Sequence, residues 1–174
     1  TYTYHSARFA FDNSGGIILV VDQEATPSTL TDFDYPSEFR TKLTRFNSEA
    51  TKVIWSKLIH PLAPLGTEVH VVVDEQNNIY VGAVQNRNWI LPDIGTLEEY
   101  QINVSKFDVA GNKRSVQRYK FVEEDPFYYF GYVTAFSVSD AIYVAGTYAN
   151  GPFLPFLAKI DKSTGAFTYI DKAN

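Results

Sequence analysis

The feature that most constrains this chain is an internal repeat. Three segments follow one pattern: an apolar or alternating stretch, a polar turn, then a second apolar stretch. They read RFAFDNSGGIILVV from Arg8, VHVVVDEQNNIYVGAV from Val69 and TAFSVSDAIYVAGTY from Thr134. Ile17, Ile79 and Ile142 anchor the alignment at spacings of 62 and 63 residues. Each segment is followed by a second hairpin-like unit, in which Arg45-Phe46-Asn47, Lys106-Phe107-Asp108 and Lys159-Ile160-Asp161 correspond. A basic residue, an apolar residue and an Asx thus recur in order, at spacings of 61 and 53 residues between the apolar positions.

The turns explain why these units are hairpins. Asp12 precedes Gly15 and Gly16, Asp108 precedes Gly111, and Asp161 precedes Gly165; Asn77 and Asn78 fill the same place in the second copy. An Asp side chain accepts hydrogen bonds from the turn it opens, and Gly or Asn takes the positive φ that a tight hairpin requires. Residues 37–46, SEFRTKLTRF, have a superficially helical composition, but their alignment with the other copies assigns them to a strand. Two tight hairpins per copy give four antiparallel strands, the unit of a β-propeller blade. The fold expected is therefore all-β, a single β-propeller segment of three four-stranded antiparallel repeats. The blades span about residues 6–60, 68–122 and 133–174. Propellers typically close with about four to eight blades. Three blades belong to a larger propeller or to one completed by an oligomer, and association through open blade faces is expected, with a second copy or with the remainder of a longer chain. Ile17, Leu19, Ile79, Val81, Ile142 and Val144 alternate within the aligned strands, so burial at equivalent places is expected for all six.

The pattern Asn78-Ile79-Tyr80-Val81-Gly82, followed after a variable segment by Leu157-Ala158-Lys159-Ile160-Asp161 in the third copy, resembles the β-propeller repeats of bacterial and archaeal cell-surface proteins, often called SBBP-like repeats. The first copy departs from it, with Ile18 where Tyr80 stands and no Gly after its second strand. The resemblance implies the fold and an extracellular or cell-surface location. It implies no particular activity, because propellers serve binding, scaffolding and catalysis alike.

Composition narrows the partners. Aromatic residues make up 16% of the chain, which suits half-buried pleated surfaces. The net charge is −5 and no basic stripe is present, which argues against nucleic acid. No run approaches the roughly 20 apolar residues of a membrane helix, so no membrane insertion is expected. Without Cys there are no disulfides or thiolate metal sites, and the absence of Met, even at position 1, reads as a processed product or an excised piece. His5, His60 and His70 form no zinc motif, and neither a P-loop nor a nucleophile-elbow pattern occurs. No cofactor is implied. Asp32, Asp34 and Glu38, and likewise Glu123, Glu124 and Asp125, carry oxygen ligands but not the spacing of a calcium loop, so solvated acidic loops are expected there. Asn103-Val104-Ser105 is a glycosylation sequon placed inside a strand core.

Antiparallel order puts the short turns at one end of the blades and the longer connections, including residues 23–39, 85–100 and 123–132, at the other. Binding residues concentrate on such connections. Tyr35, Arg87, Trp89 and Tyr128 lie in three of them, and Trp, Tyr and Arg dominate binding hot spots. The competing reading has these aromatics packing over neighbouring blades. The function expected is a non-enzymatic propeller module that binds protein or glycan through the long-loop face, or a structural spacer. The alternative is a catalytic propeller, a glycan hydrolase or lyase, with an axial site.

Overall fold

The computed structural model describes residues 2–25, 38–59, 69–91, 95–120, 129–149, 153–164 and 166–172. These residues form twelve strands in three four-stranded antiparallel sheets, with no helix among them. The first sheet runs β1 (Tyr2–Phe11), β2 (Ile17–Ala25), β3 (Glu38–Phe46) and β4 (Val53–Ile59). The second runs β5 (Val69–Val73), β6 (Ile79–Leu91), β7 (Gly95–Phe107) and β8 (Lys113–Lys120). The third runs β9 (Tyr129–Val138), β10 (Ile142–Ala149), β11 (Phe153–Ile160) and β12 (Phe167–Lys172). In every sheet the spatial order follows the chain order. The segment resembling a helix by composition is strand β3, and the N-terminal residues 2–5 extend β1 past a bulge between Tyr4 and Ser6.

The hairpin turns share one mechanism. In four of them an Asx carbonyl accepts the N–H of the fourth turn residue: Gly15 to Asp12, Ala50 to Asn47, Asn77 to Asp74 and Gly111 to Asp108. That fourth residue has positive φ in all four cases, 81° at Gly15, 57° at Ala50, 61° at Asn77 and 77° at Gly111. The Asx side chain then accepts a second set of backbone N–H bonds, as Asp12 does from Ser14 and Gly16 and Asp74 does from Gln76 and Asn78. Local sequence therefore fixes where each strand reverses.

The sheets stack face to face in chain order. Ile18, Val20 and Leu43 of the first sheet form one core with Val69, Val71, Ile79, Val81 and Phe107 of the second. Tyr80 and Val104, on the opposite face of the second sheet, form another with Ile142, Val144, Phe156, Ala158 and Ile160 of the third. Neither core joins the third sheet to the first. The main contacts between sheets place β1 and β2 on β5, and β5 and β6 on β9, so the stack is tightest at its first strands. Hydrogen bonds reinforce the first junction: the Asn13 N–H donates to Asn77 Oδ1, Asn13 Nδ2 to the Glu75 carbonyl, and Trp55 Nε1 to the Val109 carbonyl.

Of the six residues expected in the core, Ile79, Val81, Ile142 and Val144 are buried, whereas Ile17 and Leu19 are only half-buried. The reason is positional. The three isoleucines hold equivalent register, opposite Phe46, Phe107 and Ile160. They face the preceding sheet, and the first sheet has none; its core residues are instead Ile18 and Val20, on the face turned to the second sheet.

Residues 85–100 also depart from expectation. They are not a long loop: β6 and β7 stay paired from Ile79 opposite Phe107 to Leu91 opposite Gly95. Among the described residues β5 pairs with β6 as far as Ala83 and β8 pairs with β7 from Gln101 inward, so the far end of β6–β7 forms a two-stranded ribbon there. Its backbone polar groups are satisfied in the ladder, which the polar composition of the segment concealed.

Candidate functional site

A polar constellation recurs beside the first turn of each sheet. In the first sheet, Arg45 Nε donates to Asp12 Oδ2 at 2.7 Å. The Asp12 side chain is fully buried and that of Arg45 is 20% exposed. In the second sheet the corresponding residues are Asp74, hydrogen-bonded to the Tyr80 hydroxyl, and Lys106, whose Nζ lies 5.3 Å from the centre of the Tyr80 ring. In the third, the Tyr143 hydroxyl and Lys159 Nζ each donate to Asp140 at 3.1 Å, and Lys159 lies 5.7 Å from the Tyr143 ring centre. A carboxylate from the turn, an aromatic from the second strand and a cation from the third thus converge in two sheets, with Ile18 replacing the aromatic in the first.

In the second sheet this group lines a cleft of about 560 Å³ that also reaches the β11–β12 turn of the third sheet. Gln76 and Asn78 come from the β5–β6 turn, Ser115 and Gln117 from β8, and Lys162 from the third sheet. Lys162 Nζ also donates to the Ser139 carbonyl. The walls therefore offer amides, hydroxyls, a carboxylate, two ammonium groups and one aromatic edge, a donor and acceptor set suited to a polyhydroxylated or zwitterionic ligand.

The electrostatics fix the protonation states. Burial pushes the Tyr80 phenol up, the Asp74 charge and hydrogen bond add to this, and its pKa reaches about 12. Burial also raises Asp74, but hydrogen bonds from the Asn78 side chain and backbone, Tyr80 and Gln76 outweigh it and hold the carboxyl below its ordinary value. Asp12 follows the same pattern, with burial opposed by Ser14, Gly16 and Arg45. In the third sheet hydrogen bonds from Ser139, Lys159 and Tyr143 lower Asp140, and its charge raises Lys159 in return. The shifts move carboxylates and phenol away from neutrality in opposite directions. The group is then a set of fixed charges and donors, not a proton-transfer pair.

Of the binding residues read from sequence, Arg87 and Trp89 lie on the β6–β7 ribbon, opposite Glu99 and Leu97. Tyr35 and Tyr128 lie outside the described residues, as do His60, Asp32, Asp34 and Glu123–Asp125. Asn103 of the sequon is buried in β7, and His70 is buried in β5. Among the described residues no group of three or more His, Cys, Asp or Glu side chains is placed to hold a metal ion. No helix among them is long and apolar enough to cross a membrane. The Asp74–Tyr80–Lys106 cleft was not anticipated. Its signal was the recurring basic residue of the third strand, present in all three repeats but assigned no partner.

No protein-family model matches the chain, and no curated protein matches it.

Proposed function

We propose that the chain is a run of three β-propeller blades from a secreted or cell-surface protein, acting as a non-enzymatic module that holds a protein or glycan. The observation that carries this reading is the stacking: four-stranded sheets of identical strand order, packed face to face in chain order and tightest at their first strands. That is how propeller blades are arranged. Retention of a ligand, as opposed to its conversion, accords with a cleft in which Asp74 is held below, and Tyr80 above, its ordinary pKa.

The β6–β7 ribbon supplies the projecting surface, with Arg87 and Trp89 on it and Tyr35 and Tyr128 as the other residues of the recognition surface. Aromatic and guanidinium side chains combine large contact area with a polar handle. A glycan array and a partner pull-down, run on the wild type and on Trp89→Ala, test the proposal. The expected result is capture by the wild type, loss of capture by the variant and an unchanged melting temperature. Loss of stability by about 3–5 kcal/mol, as for truncation of a buried large aromatic, with capture unchanged would make the ribbon structural. Capture of nothing by the wild type would favour a spacer.

A further inference from the structure

One face of the first sheet carries an apolar surface with no cover. Phe9 and Phe11 stand opposite Leu19 and Ile17 and are 62% and 60% exposed, with their rings in edge contact at 5.6 Å. Leu58 extends the surface to β4, at 59% exposure.

The repeat itself shows what covers such a face. Phe9, Val71 and Phe136 occupy equivalent register, opposite Leu19, Val81 and Val144. Val71 is covered by the first sheet, in the core that contains Val20. Phe136 is covered by the second sheet and lies over Gly82, where an added Cβ would come within 2.8 Å of its ring. Val20, Gly82 and Ala145 are themselves equivalent, each one residue beyond Leu19, Val81 and Val144. At the second junction, then, the residue in Val20 register meets the residue in Phe9 register on the next sheet, and at the first junction the residues in those two registers belong to one core. The pairs are Val with Val at the first junction and Gly with Phe at the second. In the same two registers, Ala145 lies on the outer face of the third sheet and is partly exposed, and Phe9 lies on the outer face of the first. A small residue again remains for an aromatic ring, which needs to sit only slightly farther out than Phe136 does over Gly82.

We propose that the open face of the first sheet docks onto the outer face of the third sheet of a second copy of this chain, with Phe9 seated over Ala145. The inference rests on the blade reading of the sheets. Repeating the contact in both directions closes two chains into a six-sheet ring, within the usual range of about four to eight blades. Each contact joins unlike faces, and a two-fold axis relates the two contacts.

The absence of Cys makes the test clean. Phe9→Cys and Ala145→Cys are prepared separately, mixed, mildly oxidised and resolved on a non-reducing gel, and the mass of the unmodified chain is measured by sedimentation. The expected result is a cross-linked dimer only from the mixture, together with a mass of twice 19.7 kDa. Phe9→Asp, at an exposed position, is expected to give the mass of one chain with an intact far-ultraviolet β signature. A monomeric wild type with no cross-link overturns the second-copy contact and leaves the blade reading standing, with further blades as the cover. A cross-link formed by Phe9→Cys alone, as a symmetric pair, overturns both, because like faces would then be packing as a sandwich.

Discussion

Asp12 shows how one side chain ties a turn to a strand. Its carboxylate accepts the backbone N–H groups of Ser14 and Gly16, the Ser14 hydroxyl and Arg45 Nε, all between 2.6 and 2.9 Å. Replacing it with Ala leaves the buried Gly16 N–H and the part-buried Ser14 and Arg45 donors without this acceptor. Asp12→Ala is expected to cost about 3 kcal/mol at pH 7, read from denaturant unfolding, given that hydrogen bonds to charged groups contribute roughly 1.5–3 kcal/mol each and Arg45 regains some water. The folded-state pKa of Asp12 is lowered from the model-peptide value of 3.8. Its stabilisation is therefore fully present above that value and is lost as pH falls through the folded pKa. The cost of Asp12→Ala is expected to shrink on acidification below pH 3.8; a cost that grew with acid would contradict the assignment. At the equivalent turn of the second hairpin, Ala50 holds φ 57° where Gly15, Asn77 and Gly111 stand elsewhere. A Cβ in that region costs roughly 1 kcal/mol. Ala50→Gly is expected to stabilise the protein by about 0.5–1 kcal/mol, and a loss of stability would show that the turn is not strained. The turns at Gly15, Asn77 and Gly111 were legible in the sequence because Asx followed by Gly or Asn encodes them locally, whereas the turn at Ala50 carries no such Gly or Asn.

Between elements, packing depends on which neighbour a face meets, and that is not written in any one strand. Ile17 and Ile79 hold equivalent register within their own sheets, yet one is half-buried and the other sealed. Sequence alignment could assign their register but not the sheet lying over them. The β6–β7 ribbon was hidden for a related reason: polar residues satisfied by cross-strand pairing resemble loop residues in composition. Pro92, Asp93 and Gly95 are turn-forming residue types, which is a sequence signal for a chain reversal. The second junction offers a test of how tightly adjacent sheets fit. Gly82→Val would drive a side chain into the Phe136 ring. Overpacking of this kind typically costs about 1–3 kcal/mol. The penalty is expected to be smaller when Phe136→Val is already present, so the two changes should be non-additive in a double-mutant cycle. Strict additivity would mean that the two residues are not in contact.

At the scale of the whole molecule, the repeat made three four-stranded antiparallel sheets legible, because turn chemistry and strand period are local. The candidate cleft was not legible, since Asp74, Lys106 and Lys162 meet only after the second and third sheets stack. The central claim is this stacking in chain order, the second sheet using one face for the first sheet and the other for the third. Nuclear Overhauser contacts in the 19.7 kDa chain test it most directly. The account expects contacts from the Gly82 α-protons to the Phe136 ring, and from the Trp55 indole to Gly111, whose place for a Cβ lies 3.0 Å from that ring. Well-dispersed strand signals lacking both contacts, with the sheets independent of one another or packed in another order, would contradict it.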